Sequence, residues 1–479
     1  MSGKKNKILS ISFLKGSVIK ELWKDIKEAI NGTERDFTET TVGRAIFILA
    51  IPMILEMIME SVFAVVDIFF VSKLGADAVA TVGITESAMT IVYAIGMGLS
   101  VATTALVSRR IGEKKKKDAG EVAFQAILSG IFISLLIAIP GIIFSKQFLL
   151  LMGATETMAQ EGYLFPAILF GSNTVVMLLF IINAVFRSSG DAAISMRVVW
   201  FANIINLILD PLLIFGIGPF PEMGLMGAAI ATTIGRGLAV IYQFYLLFKG
   251  NYRIKLYVEN LKIRLSVMWK LLKISGGGML QNLIATSSWI LLVRIIAESG
   301  PEALAGYTIA IRIIIFLLLP AWGLSNAAST LVGQNLGAKQ PDRAEKSVWI
   351  TGYVNMIFMG TMGVLLAVFP DFFIRLFIAD LPVVEFGTTA LRIISFGFLF
   401  YALGMVLVQG FNGSGDTLTP TKINFFCFWV LEIPLAYLLA IVLNMGLTGA
   451  SIAIVAAEST LTIIALIMFQ KGKWKLREV

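Results

Sequence analysis

Long apolar stretches, most of about 20 residues or more and twelve in number, set the main limit on how this chain folds. A helix of that length crosses the roughly 30 Å hydrocarbon layer of a membrane. Because lipid satisfies no backbone polar group and barrel strands would alternate in polarity, the stretches are predicted to be helices. Only 15% of the residues are charged, against about 25% in soluble domains. The sequence therefore predicts an all-α polytopic membrane protein with twelve transmembrane helices.

Positive residues are concentrated in alternate loops between these stretches, which explains the net charge of +8 without a nucleic-acid partner. Clustering in every second loop is the positive-inside pattern of membrane proteins. We therefore expect a multi-pass protein of the cell membrane, in contact with membrane lipids, with both termini in the cytoplasm. The basic loops contain Arg109, Arg110 and Lys114 to Lys117, then Lys249 to Lys273, then Lys339, Arg343 and Lys346.

The two halves of the chain repeat one another at a nearly constant spacing. Gly112 recurs as Gly337 and Gly190 as Gly415, and all four glycines are predicted to make cytoplasmic turns. Six spans return a chain to its starting side, so the repeat is parallel, which is typical of transporters with a cavity between two halves. A duplicated bundle with no transport role is the alternative. Among the repeated residues, Phe186, Ser189, Gly190 and Asp191 recur as Phe411, Ser414, Gly415 and Asp416.

The repeat divides the chain into two pseudo-symmetric six-helix lobes. The N-lobe is assigned to residues 44–248 and the C-lobe to residues 268–470, joined by a cytoplasmic linker at 249–267. Cytoplasmic tails occupy residues 1–43 and 471–479. In the first tail, apolar residues recur at helical spacing, which predicts either an amphipathic helix on the membrane face or a solvated tail. The pattern comprises Ile11, Leu14, Val18, Ile19, Leu22, Trp23, Ile26 and Ile30, with Lys15, Lys20, Lys24 and Lys27 toward lipid phosphates.

Acidic residues within the first predicted span are candidates for function, because an ionisable group at mid-membrane costs about 3 kcal/mol. Glu56 and Glu60 are followed by Phe63 and Asp67, so that all four fall on one stripe of a helix. We expect this stripe to face the interior of the N-lobe. Pro52 breaks the backbone ladder of the same span, and a freed carbonyl either binds an ion or lets the helix bend; a fixed kink is equally consistent.

A second acidic residue, Asp210 in the fifth predicted span, can meet Asp67, because both fall in the outer third of helices that run outward. Two carboxylates in one dry pocket favour binding of a proton, and Asn206 and Asn183 add neutral oxygens that suit a hard cation. The pocket therefore suits a proton or a sodium ion. Alternatively, either aspartate caps a helix end or pairs with Arg236 of the sixth span, and the asparagines only bond helices together.

Other charged residues in the spans have structural and functional interpretations. Glu60 is predicted to pair with Arg236, with a second proton site as the alternative. Four more residues are predicted to be buried pairing partners or groups at the edge of a cavity, with substrate contact as the alternative. These are Glu86, Arg294, Arg312 and Glu432.

Three runs of residues, in this order and spacing, resemble a known family. They are Ile51-Pro52 followed by Val65-Val66-Asp67, then Asn183 to Arg187 before Ser189-Gly190-Asp191, then Asn203 to Asp210-Pro211. Together with twelve spans in two lobes, they resemble the MATE family of multidrug and toxic compound extrusion transporters. The likeness covers nearly the whole chain after residue 43.

The resemblance implies where a coupling cation would bind. In one branch of the family the cation site is formed by residues that match Asp67, Asp210, Asn206 and Asn183, and sodium would be held at Asp67, Asn206 and Asp210. That branch commonly has a tyrosine where this chain has Phe63, which removes one hydroxyl ligand. Another branch uses acidic residues on spans seven and ten, where this chain lacks a central carboxylate, so coupling is assigned to the N-lobe. Spans seven and ten offer Gln281, Asn282 and Gln409.

The resemblance also implies the activity. We expect an antiporter that exports small organic cations by alternating access, driven by protons or sodium, as a monomer and with no cofactor. Relatives in the same superfamily flip lipid-linked sugars or export polysaccharide, so a flippase is the alternative. An enzyme is disfavoured, because the sequence has no histidine, a single cysteine at Cys427 and no phosphate-binding GxxxxGK[ST] loop.

Overall fold

A computed structural model describes residues 20–21, 23–33, 35–250 and 252–479, and all regular elements in these ranges are helices. Within them, eleven helices are long and apolar enough to cross a membrane, and one bent pair makes a twelfth span. The predicted fold class, an all-α membrane protein of twelve spans, is confirmed. The spans are α1 (Val42–Ser72), α2 (Ala76–Gly112), α3 (Lys116–Ile143), α4 (Leu164–Ser189), α5 (Ala192–Ile214), α6 (Gly224–Lys249), α7 (Leu265–Ala297), α8 (Pro301–Gly337), α9 (Pro341–Val368), α10 (Leu381–Phe396 with Phe398–Ser414), α11 (Leu418–Val442) and α12 (Gly446–Gln470).

The two halves share their unusual backbone conformations, which confirms the repeat in three dimensions. Gly190 ends α4 at φ 100°, and Gly415 ends α10 at φ 87°. This left-handed conformation favours glycine, so both residues make the predicted turns. Gly112 and Gly337 do not, since each is the last residue of its helix. The left-handed residues after α2 and α8 are instead Lys114 and Lys339.

Three spans depart from a regular α-helix. α4 is interrupted at Ser172, and the two parts of α10 meet at an angle of 55° near Gly397. α11 contains two wider π-helical turns, on either side of a short α-helical segment that includes Pro434. Proline donates no backbone N–H, so the regular ladder cannot pass through it unchanged. Short helices outside the spans are Ser145–Leu151, Glu156–Gly162 and Pro370–Arg375.

The helices form two lobes, and each has its own apolar core. The largest cluster of buried side chains packs mainly α2, α3 and α4 with neighbouring helices, whereas a second cluster belongs to the helices of the C-lobe. Since α1 begins and α12 ends on the same side of the array, we call this the terminal side.

The lobes pack tightly against each other on the terminal side. A Cβ atom added to Gly112 of α2 would lie 2.0 Å from the carbonyl oxygen of Gln334 in α8. A Cβ atom on Gly337 would lie 2.2 Å from the carbonyl oxygen of Arg109. The Gln334 side chain also donates to the carbonyl oxygen of Ser188, at the end of α4, over 2.8 Å. The two lobes therefore meet backbone to backbone.

The segment before α1 lies across this contact. Residues 23–31 are helical and are joined to α1 by an ion pair between Asp25 and Arg44. Phe37 is 1% exposed, its carbonyl oxygen accepts from Arg343 of α9, and its ring lies under Arg253, 4.8 Å from the guanidinium carbon. The segment thus touches both lobes. Of the predicted amphipathic pattern, Trp23 is exposed, as are Lys20, Lys24, Lys27 and Ile30, while Ile11, Leu14, Lys15, Val18, Ile19 and Leu22 lie outside the described residues.

Candidate functional site

A cavity lies inside the N-lobe, among α1, α2, α4 and α6. Its empty space, including the part that opens outward, is about 600 Å³. Aromatic and apolar side chains form most of its wall, and charged groups of both signs interrupt it. The polar and aromatic side chains that line it include Phe63, Asp67, Glu86, Tyr93, Thr232 and Arg236.

Asp210 and Asn206 of α5 lie behind the cavity wall. The Asp210 side chain is fully buried and Asn206 is 2% exposed. The Asn206 amide nitrogen donates to Asp210 Oδ1 over 3.3 Å and to the Thr232 hydroxyl over 3.1 Å. Since Thr232 lines the cavity and Asp67 lies within electrostatic range of Asp210, the structure brings these four residues together.

Two oxygen atoms of this group are buried without a protein donor. They are Asp210 Oδ2 and Asn206 Oδ1. A buried acceptor that no donor reaches costs about 1–3 kcal/mol, and more if it is charged. A carboxylate oxygen binds either a proton or a hard cation, and an amide oxygen can coordinate a hard cation. The residues therefore fit the sodium or proton site that the sequence predicts, with Thr232 as a member that sequence reasoning missed.

Arg236 does not pair with an acidic residue at salt-bridge distance, among the side chains that the structure describes. Its guanidinium carbon lies 5.5 Å from the centre of the Phe63 ring, and the Tyr93 hydroxyl lies beside it. The expected close pair with Glu60 is therefore replaced by a cation–π contact and longer-range attraction. Glu60 lies beside the side chain of Asn203 on α5.

Asn183 lies in a different layer from the two aspartates. Its amide nitrogen contacts Glu56 Oε1 at 3.5 Å, and its oxygen accepts from Gln243 over 2.7 Å. Arg187, one helical turn further along α4, donates to the same Glu56 oxygen over 2.7 Å. The interpretation that placed Asn183 with Asp210 is corrected for a geometric reason. Asn183 is about 9 Å from the terminal end of α4 at 1.5 Å per residue, whereas Asp210 is about 27 Å along α5.

The remaining predicted residues have varied positions. Pro52 is buried within α1, which continues through it as one helix. Glu86 lines the cavity, which agrees with the prediction of a group at the edge of a cavity. Arg294 is not a buried partner, because it pairs with Glu298 on the exposed surface at the end of α7. Arg312 is exposed as well.

The C-lobe holds an acidic pair that sequence reasoning recognised only in part. Glu432 is 6% exposed and accepts from the Ser288 hydroxyl over 2.8 Å. Glu458 of α12 is 9% exposed and lies within electrostatic range of Glu432.

In spans seven and ten, the Gln281 side chain donates a hydrogen bond to Asn412, so it helps to join the two helices. Other members of these spans are Asn282, which donates to the backbone of its own helix, and Gln409, which accepts from Asn412.

Sequence patterns did contain signals for three missed residues. Arg187 lies four positions after Asn183, so that both side chains share one face of α4. Gln243 and Thr232 are polar residues within an otherwise apolar span, which indicates a buried partner. The identity of each partner depends on the packing of distant helices, which helical periodicity does not define.

Comparison with known proteins agrees with this architecture. The probable multidrug resistance protein NorM of Thermotoga maritima is 26% identical over 435 residues, which cover 90% of this chain and 93% of that protein. An FAD transporter of Shewanella oneidensis is 27% identical and covers 83% of this chain and 88% of its own. The fold matches the solved structure of a MOP superfamily transporter from Pyrococcus furiosus, with a TM-score of 0.86, 21% identity and coverage of 92% and 98%.

Twelve spans in two lobes, with a polar cavity inside one of them, define a multi-pass membrane protein of the transporter class. The family model MatE matches residues 52–212 and 279–438, one segment in each lobe and together more than half of the chain. The chain belongs to this family, the MATE transporters. The family predicted from the sequence is confirmed.

Proposed function

We propose that this chain exports small organic compounds, chiefly cations, from the cytoplasm in exchange for a proton or a sodium ion. Relatives named for multidrug resistance align over nine-tenths of the chain, which supports export of organic compounds. The cavity supports a cationic substrate, because two carboxylates, Asp67 and Glu86, face it together with the one guanidinium of Arg236.

The coupling cation binds at Asp67, Asp210 and Asn206, next to Thr232. The observation that carries this proposal is a pair of buried oxygens, Asp210 Oδ2 and Asn206 Oδ1, which receive no hydrogen bond from the protein. A cation that reaches them relieves the cost of burying them unpaired. Phe63 provides no hydroxyl here, and its ring instead holds Arg236 close to the cavity. Asn183 belongs to the layer below, where it supports Glu56.

Transport proceeds by alternating access, with the protein acting as a monomer. The glycine contacts between α2 and α8 close the terminal side, so the described conformation is shut toward that side. The basic loops lie on the terminal side, which supports a cytoplasmic orientation of that side and a location of the spans in the cell membrane. Separation of the lobes at Gly112 and Gly337 would expose the space between them to a cytoplasmic substrate.

A flippase for lipid-linked sugars is less well supported. A diphosphate head group requires several basic side chains that converge. In the described residues, Arg294 and Arg312 are exposed, while Arg187 is bound to Glu56. Among the described residues that line the N-lobe cavity, Arg236 is the one basic side chain. One relative, from Shewanella oneidensis, is named for transport of FAD, which bears phosphate groups. The compounds tested for transport should therefore include anions.

Purified protein in vesicles is expected to move a cationic dye against its gradient when a proton or sodium gradient is imposed. A pH difference of one unit supplies about 1.4 kcal/mol per proton, enough for about tenfold accumulation with one proton per dye. Dye fluorescence, recorded with each gradient imposed separately, measures this. Accumulation with either gradient supports the proposal, and protein-free vesicles provide the baseline. If no compound in the panel of dyes and anions accumulates under either gradient, cation coupling is rejected.

A further inference from the structure

A second polar layer lies in the N-lobe between Asp210 and the terminal side, centred on Glu56. This carboxylate is 2% exposed, and its Oε1 atom accepts from Arg187 over 2.7 Å and contacts Asn183 at 3.5 Å. Gln243 of α6 is fully buried and donates to the Asn183 oxygen over 2.7 Å. The layer thus joins α1, α4 and α6.

The hydrogen bonds within this layer fix the orientation of both amides. The Asn183 nitrogen must face the carboxylate of Glu56, which only accepts, so its oxygen must face Gln243. Gln243 in turn presents its nitrogen to Asn183. Its own oxygen, Oε1, then remains without a donor, as does Glu56 Oε2. The layer has two buried acceptors left over, and it lacks a hydrogen-bond donor.

This shortage of donors favours a proton over a sodium ion. A proton on Glu56 Oε2 turns one unserved acceptor into a donor, so that the layer gains the hydrogen-bond donor that it lacks. A sodium ion would have to share Glu56 with the Arg187 guanidinium, whose nitrogen is already 2.7 Å from the carboxylate. A sodium ion and a guanidinium group bound to the same buried carboxylate would repel each other.

Polar groups connect the layer to the proposed coupling site. Glu56 and Asp67 belong to one stripe of α1 and are about 16 Å apart along its axis, at 1.5 Å per residue. Glu60 lies between them, beside the side chain of Asn203. The stripe therefore provides ionisable groups at intervals from the cavity toward the terminal side.

We infer that Glu56, held by Arg187, Asn183 and Gln243, is an inner proton-binding site through which the coupling proton passes between Asp210 and the cytoplasm. The inference rests on the proposed function and deepens it, because it selects the proton as the coupling ion. The proton released from the Asp210 carboxyl group binds Glu56 Oε2, and Glu56 then releases it to water on the terminal side. No group is consumed or oxidised in these steps.

The double variant Glu56→Gln with Arg187→Gln tests this role. It removes the proton-binding group and its charged partner together, so that neither charge is left buried alone. We expect proton-driven export to fall about tenfold, while exchange of labelled for unlabelled dye across the membrane, which needs no net proton movement, continues at the wild-type rate. The melting temperature in detergent checks folding, and Glu56→Asp, which keeps an acid, should restore part of the proton-driven rate.

A matched control removes an ion pair of similar length outside the membrane. Arg375 and Asp371 pair at 2.7 Å, and the double change Arg375→Gln with Asp371→Asn should leave export unchanged. Wild-type proton-driven export by the folded Glu56→Gln, Arg187→Gln variant would overturn the inference, as would equal losses of driven export and of exchange. Wild-type protein driven by sodium but not by protons would overturn it too, and the proposed function would stand. Wild-type protein driven by neither gradient would reject the proposed function itself.

Discussion

Replacing Asp210 by Asn is expected to lower cation-driven export about 10- to 100-fold and to leave the protein folded. The amide has nearly the shape of the carboxylate and keeps one oxygen that can accept from Asn206. The amide cannot bind and release a proton near neutral pH, and it has no negative charge to neutralise a cation. The initial rate of dye accumulation in vesicles, per amount of protein, measures the effect.

The control for this variant is a carboxylate of equal size outside the N-lobe. Asp371 pairs with Arg375 on the exposed surface at 2.7 Å, and its change to Asn should alter export by less than about twofold, since exposed ion pairs contribute little. The change Glu432→Gln tests whether the acidic pair of the C-lobe contributes to coupling. We expect it to lower cation-driven export less than Asp210→Asn does. Export by the Asp210→Asn variant at the wild-type rate under an imposed gradient would contradict the assignment.

Replacing Gly112 by Ala is expected to hold the terminal side open and to lower export at least about tenfold, a coupling of 1–3 kcal/mol. The added Cβ would lie 2.0 Å from the carbonyl oxygen of Gln334, so the backbones of α2 and α8 must separate. Thr330, which is 1% exposed on α8, would become accessible. Labelling of a Thr330→Cys variant by a water-soluble maleimide, with and without Gly112→Ala, measures this opening.

The same helix provides the matched control. Gly83 of α2 has no neighbouring atom within 4 Å of an added Cβ, so Gly83→Ala tests the effect of alanine without the collision. Gly83→Ala should leave both labelling and export near the wild-type values. Unchanged labelling and wild-type export in Gly112→Ala would show that the lobes do not need this backbone contact.

The sequence was sufficient to predict the helical architecture, because apolar length and the repeat depend on local composition. It placed Gly190 and Gly415 in turns correctly, since each stands between the end of one apolar stretch and an aspartate that precedes the next stretch. It misjudged Gly112 and Gly337, because turn and close-packing glycines look alike without a partner helix. The bend of α10 at Gly397 and the interruption of α4 at Ser172 were not predicted either, because each lies within a stretch that the sequence presents as a single span.

For the site, too, local sequence predicted some features, and the packing of distant helices determined the others. Helical spacing indicated which side chains share a face, as for the α1 stripe from Glu56 to Asp67 and for Asn206 with Asp210. Spacing did not indicate depth in the neighbouring helix, and so Asn183 was grouped with the aspartates instead of with Glu56. The grouping of Glu432 with Glu458 was missed because it requires the packing of α11 against α12.

Displacement of a bound cation by substrate tests the central claim most directly. Purified protein in weakly buffered detergent solution is mixed with a cationic dye, and the proton release is recorded with a pH indicator; displaced radioactive sodium is counted in parallel. Wild-type protein is predicted to release a proton or a sodium ion when the dye binds, and the folded Asp67→Asn and Asp210→Asn variants to bind dye and release neither. Release by both variants in wild-type amount would place the coupling cation elsewhere and contradict the account.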